Sequence, residues 1–504
     1  MAERERQRRA AERVSERAAE PPTREPPTRA LTVGLVLGVT VTAFGALAVV
    51  TVAPRIPAEL GGFERYGWIF SANLLATLIG TVWGGSQADR HGPGRAFVLG
   101  LAAFVLGSAL GALAPSMTVV IVARALQGLG GGAVVTCIYV AVSIAYPDRA
   151  RARVMALLSS AWVLPALLGP AAAGLVAELA SWRWVFAALV PFASLVAFLT
   201  VPSFLGLGRS EADDVIAGGA SGRGRLLTAS LLAVAVGAGL WALAGPAPGW
   251  LRLLVGAAAL LLAPQALARL TPPRTLWLAP GLASVVAARG LFFAGFITVE
   301  VYLALMLTDL LGVSSTVTGL VIAAGALVWT AGSWAQARLD GLRDTAQGAS
   351  PWNALAQHRE RRVLLGATVL SAGLLVQLVA LGLAGSGAVG TAAVLAVALL
   401  GWSLAGVGIG FAHAGASVLA FERAEVERVE PGIVSAALQL ADGVGAATAT
   451  GVAGALLALL TPGAGLAIGL TAAYAVGLAA AALSLLAAWR IGARPARSSP
   501  AAAR

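Results

Sequence analysis

Apolar runs of about twenty residues, separated by short polar or glycine- and proline-rich breaks, recur from residue 31 to residue 489. Each run has the length needed to cross the hydrocarbon core of a bilayer. Backbone amides find no water there, so every run must be a helix, and the two-residue alternation of a membrane barrel does not occur. The pattern predicts helices over 31–53, 67–88, 96–114, 117–145, 154–178, 184–206 and 226–245. It continues with 251–269, 282–307, 315–337, 363–384, 388–419, 433–460 and 464–489. Fourteen spans return both termini to one side. Only the short turn "GPAPGW" divides the seventh from the eighth.

Arginine placement tests this arrangement. Eight arginines stand in the first thirty residues, and most of the rest fall in connections on that same side. The other side carries only Arg55, Arg65, Arg183 and Arg252. Cytoplasmic loops carry the basic excess, so both termini are expected in the cytoplasm, as in a bacterial inner (plasma) membrane. The longest connections also lie on that side, and the outer loops are very short, so any ligand must bind among the helices. The tail "MAERERQRRAAERVSERAAEPPTREPPTRA" has no apolar core and is no secretory signal. It reads as a short helix followed by a proline-rich tether.

Composition narrows the chemistry. The chain has 504 residues, 58% of them hydrophobic, and only 12% charged against about a quarter in soluble domains. The net charge of +11 follows from topology, so it does not point to nucleic acid. Every basic residue is arginine. Without lysine there is no Walker A phosphate loop and no Schiff base. The single Cys137 forbids an internal disulfide, and His91, His358 and His413 are too scattered for a metal site. No cofactor is expected. A membrane enzyme finds no support in any nucleophile, base or metal grouping.

Between the second and third spans lies "GGSQADRHGPGR", in which Gly85, Asp89, Arg90 and Gly92 have the spacing G-x-x-x-D-R-x-G. Here the chain resembles the major facilitator superfamily, in which this loop clamps the cytoplasmic ends of neighbouring helices. On this reading Gly85 lets helices pack closely, Gly92 reverses the chain, and Asp89 meets a helix N-terminus or an arginine. The family places two basic residues after the second glycine; here Pro93 and Gly94 stand there and Arg95 follows. In the fourth span Arg124, Gln127 and Gly128 match R-x-x-Q-G, which in the family implies proton coupling by the arginine. The competing reading is a structural arginine bonded to backbone carbonyls. Gly128 and Gly132 give the small-xxx-small spacing of close helices. In the fifth span Gly169, Pro170 and Gly174 resemble the antiporter motif G-P-x-x-G-G, with Ala173 in place of one glycine. A plain proline kink competes with that reading. "SWRWVF" resembles a segment of the fourteen-span drug:proton antiporters, although Trp182 and Trp184 also suit interface anchors. "GSWAQAR" (332–338) is a degenerate echo of the first loop.

The resemblance implies an all-α polytopic protein of 6+2+6 helices, with two pseudo-symmetric bundles around a central cavity. Its expected parts are a cytoplasmic tail (1–30), a six-helix bundle (31–206), a linker (207–225) and two additional helices (226–269). A second bundle (282–489) and a cytoplasmic tail (490–504) complete it. The superfamily's halves bind substrate between them.

Two acids stand deep in helices, Glu300 and Asp442. A poorly solvated carboxylate takes up a proton more readily than an exposed one, as a proton carrier must. Arg289, Phe293, Phe296 and Glu300 share one face of the ninth span, a wall suited to an apolar or cationic organic molecule. Ser435, Gln439 and Asp442 share a face of the thirteenth, and Gln127 joins the cavity list from the fourth. Static pairing of Glu300 with an arginine, phenylalanines turned to lipid, and Asp442 as a helix cap are the competing readings. His413 is expected to be a hydrogen-bonded packing residue. Fourteen-span relatives often carry an acid in the first span; this chain has none there, which moves weight to Glu300 and Asp442. The expected function is proton-coupled export of small organic, drug-like compounds by a monomer that alternates access across the lipid bilayer. Uptake of a metabolite or sugar on the same fold, or a receptor or scaffold that moves nothing, are the alternatives.

Overall fold

A computed structural model describes residues 29–146, 148–207, 219–245, 247–342, 355 and 357–492. The amino-terminal tether and most of the 207–225 linker and of the 490–504 tail lie outside the described residues. The first bundle comprises α1 (Arg29–Val52), α2 (Trp68–His91), α3 (Pro93–Ala112), α4 (Met117–Ala145), α5 (Val163–Leu179) and α6 (Arg183–Leu205). Next come α7 (Gly219–Ala244) and α8 (Gly249–Leu270). The second bundle comprises α9 (Leu282–Leu305), α10 (Ser315–Gly341), α11 (Arg359–Ser386), α12 (Thr391–Glu427), α13 (Pro431–Ala464) and α14 (Leu466–Ile491). Thirteen of the described helices are long and apolar enough to cross a membrane; α5, with 17 residues, is the shorter one.

The fifth span differs from expectation. A short helix, Asp148–Ser160, leads into α5, and the axis breaks at residues 161–162. Pro165 has no N–H to offer the Ala161 carbonyl. That carbonyl instead accepts the Thr40 hydroxyl of α1 at 3.4 Å. α5 still crosses, because Arg183 at the start of α6 bonds the Ala114 carbonyl at the far end of α3. Arg183 also pairs with Glu59 there and holds that exposed carboxyl below the usual range.

The connection from α2 to α3 is shorter than expected. Asp89 and Arg90 belong to the last turn of α2, and Pro93 opens α3. Gly92 alone makes the reversal, at φ 79°, a region that favours glycine. Close packing falls to a different glycine from the expected one. A Cβ at Gly85 would meet only the Thr136 methyl at 3.5 Å, whereas one at Gly84 would stand 2.8 Å from the Ala133 Cα. On the facing helix, Gly128 and Gly132 lie against the Asn73 and Thr77 carbonyls, so α2 and α4 touch backbone to backbone. Segment 332–338 is part of α10 and forms no loop.

The two bundles meet along α2–α13 and α10–α5, pairs related by the pseudo-symmetry. α7 packs over the first seam, where Leu232, Val236 and Leu240 join Leu75, Leu78, Leu440 and Val444. Hydrogen bonds between the halves gather at the face opposite the termini. Arg55 Nε donates to Ser315 Oγ at 2.8 Å, and Glu178 accepts the Thr316 amide at 2.9 Å and hydroxyl at 2.6 Å. Tyr66 donates to the Val301 carbonyl at 3.1 Å, and Ser71 to that of Ala447 at 3.1 Å. The structure is therefore closed at that far face.

Gly85→Ala should leave thermal stability in detergent unchanged or raise it by up to about 1 kcal/mol, through helix propensity. Gly84→Ala should lower it by about 1 to 3 kcal/mol through overpacking. The reverse order would return the close contact to Gly85.

Candidate functional site

α9 forms the spine of the second bundle. Of its most apolar window 83% is buried, against no more than 61% in any other span. An ionised side chain on this helix meets protein on every side and needs a partner. Arg289 has one. Its Nε donates to Asp442 Oδ1 and Oδ2 of α13 at 3.2 and 3.0 Å, and Nη2 reaches Oδ2 at 2.8 Å. Its remaining nitrogen, Nη1, donates to Ser417 Oγ of α12 at 2.6 Å. Ser417 Oγ donates a hydrogen bond to the His413 carbonyl at 2.7 Å, and His413 Nε2 lies 3.3 Å from Asp442 Oδ2. Three helices thus converge on one ion pair. Both partners keep some exposure, 12% for Arg289 and 13% for Asp442.

α9 and α13 come this close because glycines face each other. A Cβ at Gly290 would stand 2.8 Å from the Ala441 carbonyl, and one at Gly445 would stand 2.7 Å from that of Gly290. These neighbours of Arg289 and Asp442 in the chain set the helix separation that a bidentate pair needs.

An aromatic wall rises along α9 from the pair. Phe293 lies 5.7 Å from the His413 ring and edge-on to Trp329 of α10 at 6.3 Å. One turn on, Phe296 stacks on Trp402 at 4.5 Å and meets Trp329 edge-on at 5.2 Å. The phenylalanines therefore face protein and not lipid. Glu300 follows another turn on, about 16 Å of helix rise from Arg289. It is 7% exposed and has no hydrogen bond or ion pair among the described residues.

The expected stripe of Arg289, Phe293, Phe296 and Glu300 is thus assembled on one wall with Asp442. Gln439 is exposed and among the described residues bonds only Ser435, at 3.4 Å. His413, expected to be a hydrogen-bonded packing residue, packs on Phe293 and Trp329 and bonds Asp442, which places it in the cluster. Ser417, Trp329 and Trp402 were missed. The signal for the first was its place one turn after His413 on α12; the tryptophans gave none, because only the fold brings α10 and α12 to α9.

Arg124 and Gln127 lie elsewhere, inside the first bundle. Arg124 is 2% exposed and donates to the Ile69 and Gly45 carbonyls at 3.2 and 3.0 Å and to Gln127 Oε1 at 2.7 Å. Gln127 Nε2 in turn donates to Ser108 Oγ at 2.9 Å. In this conformation Gln127 is 1% exposed and serves the arginine, with both ends of its amide occupied. It is not on the wall that carries the aromatic stripe.

The glycine-proline motif sits at the seam between halves. Gly319 of α10 fits against the Pro170 carbonyl, and Gly174 against the Ser315 backbone. A Cβ at Gly169 would meet the Phe44 ring at 3.3 Å. The motif therefore allows α5 and α10 to touch across the molecule in the far half of the bilayer.

Known proteins agree with this architecture. The family model described as Major Facilitator Superfamily matches residues 35–343. A probable multidrug-efflux transporter of Mycobacterium tuberculosis is 31% identical over 290 residues, 57% of this chain and 55% of that protein. Multidrug resistance protein 3 of Bacillus subtilis is 31% identical over 174 residues, 34% of each chain. The matches span about a third to just over half the length of these relatives. Among solved structures, an auto-inhibited POT family peptide transporter superposes with a TM-score of 0.62 at 15% identity, over 92% of this chain and 96% of that one. A D-xylose-proton symporter gives 0.59 at 15% identity, over 90% and 96%.

Replacing either partner of the central pair, Arg289→Gln or Asp442→Asn, should cost about 3 to 5 kcal/mol, because the other charge is stranded. The double variant should lose much less than the sum. A thermal double-mutant cycle checks this; additive losses would mean that the two residues act independently.

Proposed function

The chain belongs to the major facilitator superfamily and is a multi-pass membrane transporter, not an enzyme, and from that premise we propose that it exports small organic, drug-like compounds in exchange for protons. The observation that carries the reading is Glu300, a buried carboxyl without a partner among the described residues, on the same stripe as an ion pair and an aromatic wall. A proton arriving at Glu300 or Asp442 neutralises a carboxylate and weakens its hold on substrate or on Arg289. The halves then rock, and the opposite opening reloads. The rings of Phe293, Phe296 and Trp329 offer flat apolar contact and cation–π attraction to a bound organic molecule.

In this scheme Asp442 and Glu300 carry the proton, with His413 as the group through which Asp442 senses it. Arg124 acts through the first bundle by fixing α1, α2 and α4 to one another. Gly169, Pro170 and Gly174 seal the far face. The end of α2 with Gly85, Asp89 and Arg90, and the reversal at Gly92, control the opposite one, with Gly84 supplying the close contact. The chain is assigned to the plasma membrane as a monomer, with both termini cytoplasmic. Its units are 31–206, 226–269 and 282–489. The names of the two multidrug relatives favour export. Sugar uptake fits less well, because the wall holds aromatic rings and few free hydrogen-bonding groups.

In inverted vesicles the wild type should accumulate substrate in the lumen in a proton-driven manner, and Glu300→Gln and Asp442→Asn should each reduce that accumulation. Undiminished coupling in both variants overturns the reading, and accumulation in right-side-out vesicles indicates uptake. Gly319→Val would collide with the Pro170 carbonyl. It should therefore hold the α5–α10 seam apart. A cysteine at Thr316 should then react faster with an impermeant maleimide, over the low background of the buried Cys137. Unchanged labelling would remove this seam from the gate.

A further inference from the structure

We propose that a groove between α10 and α12, at the end of α10 nearest the termini, holds the headgroup and upper acyl chain of an anionic phospholipid. The groove encloses about 370 Å³ and is lined by Ala331, Trp334, Ala335, Arg338, Leu339 and Phe411. Ala331, Trp334, Ala335 and Arg338 recur at three- and four-residue steps, so they form one helix face. That face is distinct from the one packed into the bundle, where Gly325 meets Trp402, Gly332 meets Val407 and Gln336 is buried. It is also distinct from the α5 contact at Gly319. It therefore turns outward to the bilayer and lies apart from the aromatic wall.

Depth in the membrane fits a headgroup. Arg338 lies about 35 Å along the helix from Ser315, beyond a hydrocarbon core about 30 Å thick. Trp334, one turn deeper and 68% exposed, suits the boundary between headgroups and acyl chains. The two alanines leave the room that a chain would fill.

Charge fits an anion. Arg338 is exposed and pairs with no acid among the described residues. The acid two residues on, Asp340, is taken by Arg359 at 2.8 Å and by Arg362, and Arg359 also holds Glu422. Asp340 and Glu422 are thus engaged by Arg359 and Arg362, and Arg338 in the groove is left with no acid partner among the described residues. Its phosphate-binding fork has no acidic competitor among the described residues.

The test uses the full chain, purified in a neutral detergent, with thermal unfolding followed during lipid titration. Phosphatidylglycerol should stabilise the protein at lower concentration than phosphatidylcholine of the same acyl chains. Arg338→Gln should raise the half-saturating phosphatidylglycerol concentration about fivefold, the equivalent of the roughly 1 kcal/mol of one surface arginine. Arg338→Lys should retain most of the effect. Ala335→Phe, which fills the groove and keeps the charge, should weaken binding as well and covers the case in which Arg338→Gln does not fold. Equal stabilisation by both lipids, an unchanged response in Arg338→Gln, or the same stabilisation by inorganic phosphate alone would each overturn the proposal.

Discussion

The bidentate pair between Arg289 and Asp442 is the interaction on which the second bundle depends. A guanidinium on the most buried helix of the molecule would be prohibitively costly alone. Its cost is met by two carboxylate oxygens and one hydroxyl, drawn from α13 and α12. That arrangement fixes the rotation of α9, and with it the direction of every residue on the same stripe. Phe293 and Phe296 face Trp329 and Trp402 because Arg289 faces Asp442. Such a pair is also a poor source of stability compared with an apolar substitute. Unlike an apolar contact, it holds only while its carboxylate is ionised.

The first bundle solves the same problem differently. Arg124 is more deeply buried, but its partners are backbone carbonyls and an amide, none of which titrates near neutral pH. One half thus holds its arginine against neutral acceptors and the other against a carboxylate. The ionisable residues that form the central wall come from α9, α12 and α13, all of the second bundle. The far-face seal, by contrast, is made of neutral backbone contacts at Gly174, Gly319 and Pro170, with polar bonds at its rim.

Glycine placement explains how helices with so few polar residues find a single register. Lipid tails compete with leucine for apolar contact, so interfaces are decided where backbones can touch. Gly128 and Gly132 fix α4 on α2, and Gly290 and Gly445 fix α9 on α13. Moving a glycine by one position turns it through about 100°. The close contact therefore falls to Gly84 while its neighbour Gly85 has room.

The sequence by itself determined the class of molecule: apolar runs of bilayer length can only be helices, and the asymmetry of arginines sets their alternation. It also placed Arg289, Phe293, Phe296 and Glu300 on one face, because helical spacing is a local property. Motif spacing marked Gly92 as the reversal and Gly169, Pro170 and Gly174 as a packing seam, although only contacts across the molecule reveal that the seam joins the two halves. Tertiary structure alone decided partners. His413 became part of an ion-pair cluster, Gln127 was withdrawn into the Arg124 network, and Glu300 was left without a counter-charge among the described residues. Each of those outcomes depends on which helices lie side by side, and chain spacing within one helix carries no information about its neighbours.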